Sequence, residues 1–69
     1  MILEKMVLDH YDKMIIHFLG NRGKSNTNEI AENLKISWKT ANEHLYKLNQ
    51  LGFVNTMKIG KIVYWILNY

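Results

Sequence analysis

The 69-residue sequence predicts an α+β domain in which three helices precede a C-terminal β-hairpin. Three observations carry this prediction. Apolar residues recur at helical spacing in three stretches up to Leu51. A residue that favours helix N-caps, Asp9, Asn26 or Ser37, precedes each stretch. From Phe53 onward the pattern changes to strand-like alternation around Gly60.

The first helix follows from Tyr11, Met14, Ile15, Phe18 and Leu19, which form one apolar stripe. Ile16 points away from that stripe. Asp9 caps the start, and Asp12 favours the positive end of the helix dipole. Gly20-Asn21-Arg22-Gly23 ends the helix, because Gly and Asn tolerate left-handed backbone. Lys24-Ser25 is a short connector with room for one or two strand residues.

A second helix starts near Asn26-Thr27. Asn26 with Glu29 fits a capping box, and Thr27 is an alternative cap. Ile30, Ala31 and Leu34 form its buried face, and it stops by Lys35-Ile36. Ser37 then caps a third helix, in which Ala41, Leu45, Leu48 and Leu51 share one stripe with His44 at its edge. Gly52 follows as the C-terminal stop.

The strands flank Ile59-Gly60-Lys61. Gly60-Lys61 suits a type II′ turn, since Gly comes first, whereas Ile59 disfavours the positive φ of a type I′ turn. That register sets Val54, Thr56, Val63, Trp65 and Leu67 on one face. Asn55, Met57, Ile59, Ile62, Tyr64 and Ile66 take the other. Both faces are substantially apolar, and a hairpin on a small helical core buries only one.

Composition narrows the function. The length allows a single domain, residues 1–69. A chain this short buries only about 60% of its unfolded surface. With no cysteine, neither disulfides nor a cysteine-based zinc site can supplement the core, which leaves a partner subunit. His10, His17 and His44 do not cluster, and no metal or cofactor is expected. His10 and His17 lie about 10.5 Å apart along one helix, too far for one ion. Gly20 to Ser25 contains Gly-Lys-Ser, but the spacing is wrong for a phosphate loop and no strand precedes it. No serine or threonine has a base and an orienting acid nearby, so no catalytic residue is assigned. Neither a signal peptide nor a membrane span is expected, which implies a soluble, cytoplasmic protein.

Charge is uneven. Residues 1–34 hold four basic and five acidic side chains, whereas residues 35–69 hold five lysines against Glu43 alone. A localised positive field suits a polyanion. The segment Thr27 to Gly52 is a short helix, a tight turn and a longer helix, which is the helix-turn-helix pattern. The second helix of such a unit, about residues 37–51 here, presents its solvent face to the DNA major groove. Opposite the buried stripe lie Lys39, Glu43, Tyr46 and Gln50, flanked by Asn42 and Lys47. Lysine meets phosphate or guanine, Asn42 can pair with adenine, and Glu43 can accept from cytosine. Near the helix start, Ser37 and the free N–H groups beside it can hold a phosphate, and Trp38 and Thr40 join the candidate set. Any surface helix has a polar outer face, and Lys39 with Glu43 is also an ordinary exposed pair.

The segments TNEIAENLKIS, KTANEHLYKLNQLGFV and GKIVYWIL resemble the winged helix-turn-helix transcriptional regulators of the MarR and ArsR type, of the small archaeal or viral kind. Glu29-Ile30-Ala31 and Leu34 match the first helix of the pair. Ser37, Ala41, Leu45 and Leu48 match the recognition helix. Leu51 to Val54 match the junction, and Trp65 and Leu67 the returning strand. The resemblance implies a sequence-specific double-stranded DNA-binding regulator whose hairpin is the wing. Its tip, residues 58–61, would set Lys58 and Lys61 on phosphate or the minor groove. Three features depart from the pattern. Trp38 stands where these families carry a small or basic residue, and it either stacks on the nucleic acid or folds back over Ile36. The cysteine sensor of metal-responsive members is absent, as is a C-terminal dimerisation helix.

Residues 1–8 form an N-terminal extension beyond the minimal domain. If helical, it carries Ile2, Leu3, Met6 and Val7 on one face. These residues and Ile16 are the candidate homodimer interface; the alternative is that the segment folds back on its own wing. A dimer would space two recognition helices about 34 Å apart for an inverted repeat. The competing functional reading is a winged-helix protein–protein interaction module that does not bind DNA.

Overall fold

The computed structural model describes residues 8–68. Its elements are α1 (His10–Arg22), β1 (Lys24–Ser25), α2 (Thr27–Leu34), α3 (Trp38–Gln50), β2 (Val54–Ile59) and β3 (Ile62–Leu67). Three helices and a C-terminal antiparallel hairpin make a winged helix-turn-helix. No helix among the described residues is long and apolar enough to cross a membrane.

Each helix start is set by its cap. In α1 the Asp12 amide donates to the Asp9 side chain (2.9 Å) and the Asp9 amide donates back to Asp12 (3.0 Å). Asn26 and Glu29 form the same reciprocal box at α2 (2.8 and 3.2 Å). At α3 the Thr40 amide donates to Ser37 Oγ at 3.1 Å. Such caps satisfy amides that the first helical turn leaves without partners.

The helix ends are equally specific. At α3 the Phe53 amide reaches the Leu48 carbonyl (2.9 Å) and the Gly52 amide reaches that of Asn49 (3.1 Å), with Gly52 at φ 88°. This is a Schellman motif, with glycine in the left-handed position. The turn between α2 and α3 repeats it with Lys35 at φ 57°, ψ 46°, where Ile36 N–H donates to Ala31. A side chain there costs roughly 1–2 kcal/mol, which Gly avoids at some cost in unfolded-state entropy. Lys35→Gly is therefore expected to raise stability by about 0.5–1 kcal/mol, read from urea midpoints. A lower midpoint would show that the turn gains from its lysine.

The hairpin has the register expected of a two-residue turn. Ile59 pairs with Ile62, Thr56 with Trp65 and Val54 with Leu67. Gly60 has positive φ and Lys61 does not, which matches type II′ rather than I′. Lys24 and Ser25 pair with Ile66 and Trp65, so β1 completes a three-stranded antiparallel sheet of order β1-β3-β2.

Ile15 and Leu19 of α1, Ile30 and Ala31 of α2, Ala41, Leu45 and Leu48 of α3, Val54 and Trp65 form one buried cluster. Two expectations for α1 need correction. Its buried side centres on Asp12, Ile15 and Leu19, a rotation of roughly 60° from the stripe read in the sequence, and Tyr11 is 41% exposed. With that rotation Ile16 packs, half-buried, against the core instead of pointing away from it. Ile2, Leu3, Met6 and Val7 lie outside the described residues.

Candidate nucleic-acid interface

The solvent face of α3 carries Lys39, Glu43, Tyr46 and Gln50, all exposed, with Thr40 and Asn42 half-buried beside them. This face exists because Ala41, Leu45 and Leu48 bind the opposite side of the helix into the core. Helical periodicity leaves no other orientation for the polar row. Ser37 Oγ also donates to Thr40 Oγ1 at 2.9 Å, so the cap is held from two directions. Trp38, the first residue of α3, is 54% exposed.

The wing extends from the same side of the core. Lys58 and Lys61, at its tip, are exposed. Tyr46 meets Trp65 edge-on, with ring centroids 6.1 Å apart at 78°. Trp65 in turn donates its indole N–H to Thr27 Oγ1 at 3.0 Å. These contacts link α3, β3 and the start of α2. A groove of about 350 Å³ separates the start of α2 and Trp38 from Lys61, Ile62 and Val63 of the wing.

Lys47 is placed differently from the other cations. Its ammonium contacts the fully buried Asp12 carboxylate and lies 3.6 Å from Asp9. His44 Nδ1 is 2.8 Å from the same Asp12 and 3.7 Å from Asp9. Asp9, Asp12 and His44 converge closely enough to suggest a metal site. The Lys47 ammonium already supplies the cation on those oxygens, and the group serves as an ion-paired clamp between α1 and α3. Burial pushes the Asp12 carboxyl up. The hydrogen bonds from Lys47, the Asp9 amide and His44, together with the Lys47 charge, outweigh it and hold the pKa below its ordinary 3.8. The bond to Asp12 raises Lys47 above its ordinary 10.5 despite some desolvation.

The sequence reading missed this clamp. The signal was present: Asp12 falls in register with Ile15 and Leu19, and His44 and Lys47 are one helical turn apart beside the α3 stripe. At α2, hydrogen bonds from Ser25 Oγ (2.7 Å) and the Asn26 amide lower the Glu29 pKa, and Arg22 lies 3.6 Å away.

A family model described as bacterial regulatory protein, arsR family, matches residues 13–56. A comparison with curated protein sequences finds no match. Among solved structures, reduced HlyU from Vibrio cholerae is 25% identical with a TM-score of 0.83, over 97% of this chain and 70% of that one. A ZitR mutant from Lactococcus lactis in complex with DNA is 26% identical with a TM-score of 0.83. That alignment covers 90% of this chain but only 44% of ZitR. The Zalpha domain of Carassius auratus PKZ, in complex with Z-DNA, is 33% identical with a TM-score of 0.75, over 83% of this chain and 90% of that one.

Proposed function

This chain belongs to the arsR family of bacterial regulatory proteins, DNA-binding transcriptional regulators, and we propose that it reads duplex DNA with the outer face of α3 while its wing grips the backbone. The observation that carries this reading is the exposed polar row on α3, anchored from behind by the core and flanked by a lysine-tipped hairpin. Lys39, Asn42 and Glu43 carry base-edge groups near the helix start, where a recognition helix reaches deepest. Ser37, Thr40 and Tyr46 border them and suit sugar and phosphate. Lys58 and Lys61 supply phosphate contacts from the wing. Lys47 is left out of this set because Asp12 and Asp9 already neutralise it. The role is recognition without catalysis, in the cytoplasm. A homodimer on an inverted repeat is the assembly that doubles the contact set; sedimentation of the protein at micromolar concentration as a strictly 8.2 kDa species would refute it.

The test is a mobility-shift titration on duplex DNA at two salt concentrations. Affinity should fall steeply with salt, since each neutralised phosphate releases about 0.9 counterion. Lys39→Ala and Asn42→Ala should each cost about 1–3 kcal/mol on the preferred sequence and narrow its margin over others. Lys61→Ala should weaken all sequences alike and flatten the salt slope by about one unit. Unchanged binding in both α3 variants would reject the reading.

A second reading rests on the Tyr46–Trp65 pair and on the likeness to a Zalpha domain over nearly that domain's whole length. An aromatic edge fixed against the wing suits a duplex whose base edges protrude, as on the convex surface of left-handed DNA. Inversion of the circular dichroism of an alternating dC-dG duplex by this protein at low salt would favour that reading over B-form recognition.

A further inference from the structure

A groove lies between the starts of α2 and α3 and the wing tip. Apart from Lys61, its lining is unlike that of a phosphate contact. Trp38 is 54% exposed, Ile62 46% and Val63 44%, so the lining includes an aromatic and aliphatic surface left in water. A tryptophan is usually well buried. Asn26, Thr27 and Asn28 add polar groups, and Lys61 also lines the space. Two of these side chains are held by hydrogen bonds. Asn26 Oδ1 accepts from the Glu29 amide at 2.8 Å, and Thr27 Oγ1 accepts from Trp65 at 3.0 Å. Asn28 and Lys61 are exposed.

We propose that this groove is a subsite for one unpaired nucleotide of the bound DNA, stacked on Trp38 with its phosphate on Lys61. The proposal rests on the DNA-binding reading above and deepens it. The volume, about 350 Å³, is at the small end for ligand sites, near ~300 Å³, and matches a single mononucleotide better than a run of bases. Each lining group corresponds to a part of that ligand. The indole offers a flat π-face for stacking, which tolerates any base. Lys61 offers a cation for the phosphate, and the Asn28 amide offers both a donor and an acceptor to a base edge. A paired base cannot reach the groove, because it is held within the stack. An unpaired one is extruded at little cost. The subsite therefore discriminates a duplex with a bulged or unpaired nucleotide from a perfect one.

The experiment uses the full chain and two fluorescent probes, a paired duplex and the same duplex with one central unpaired nucleotide, followed by anisotropy. The parent is expected to bind the bulged probe about ten-fold more tightly, the order that one stacked base contributes. Trp38→Ala should abolish that ratio, and Trp38→Phe should restore most of it. Lys39→Ala should weaken both probes and keep the ratio. Equal binding of the two probes by the parent, or a ratio that survives Trp38→Ala, overturns the subsite while leaving duplex recognition intact. Failure to bind either probe at low salt overturns both.

Discussion

Leu45→Ala is expected to destabilise the protein by about 2–5 kcal/mol, through lost burial and the cavity left behind. Leu45 is fully buried on α3 in the cluster formed by all three helices, β2 and β3. The neighbours cannot collapse into the space readily, because α3 is fixed at both ends by the Ser37 cap and the Gly52 turn. A domain of this size gains or loses roughly 4–8 °C in melting temperature per kcal/mol, so the drop should exceed about 8 °C. Such a loss is a large share of the total stability of a small domain, about 5 kcal/mol at the low end. Tyr46→Ala is the control. It removes a larger side chain from the adjacent position, but one that is 59% exposed, and it should cost less. Thermal melts of the two variants decide the matter. A smaller loss from Leu45 than from Tyr46 would mean that α3 is not seated as described, and the outward orientation of Lys39, Asn42 and Glu43 would fall with it.

Most of the fold was legible because local chemistry and global packing agree. Asp9, Asn26 and Ser37 begin helices since their side chains accept the amides that those helices leave open. Gly60 settled the hairpin register, and a register shift of one residue would have turned Trp65 out of the core. The parts that escaped notice involve partners distant in sequence. Asp12 reads locally as a helix-start acid, which it is, but its charge is satisfied 32 and 35 positions away, by His44 and Lys47. Placing a carboxylate on the inner face turned α1, exposed Tyr11 and brought Ile16 against the core. The pairing of β1 with β3 rests on two residues, too few for any periodicity. The face of α3 was legible for the opposite reason, since its buried stripe is apolar throughout.

Asp12→Ala is expected to cost about 2–3 kcal/mol, comparable to truncating a core side chain, although no large apolar group is lost. Asp12 is fully buried and serves three partners: the Asp9 amide, His44 and Lys47. The cost stays below that of breaking a wholly buried pair because Lys47 is 40% exposed and regains water when released. Asp12→Asn should cost less, since the amide oxygen can still accept from the Asp9 amide. The pH dependence gives an independent check. Because the folded pKa of Asp12 lies below its ordinary 3.8, its contribution is complete above that value and disappears as pH falls through the folded value. Lys47 has the opposite sign. Its pKa is raised, so its share is complete below 10.5 and is lost only as pH climbs through the higher folded value. Urea midpoints of parent and Asp12→Ala should therefore differ most at neutral pH and converge in strong acid. The Glu29 carboxyl is also held low, but it is present in both proteins and cancels from the difference. A double-mutant cycle with Lys47→Ala should return a coupling of about 1 kcal/mol or more. A gap that persists unchanged into acid would mean that Asp12 stabilises through shape rather than charge, and a null coupling would release Lys47 from α1 and return it to the cations available for phosphate.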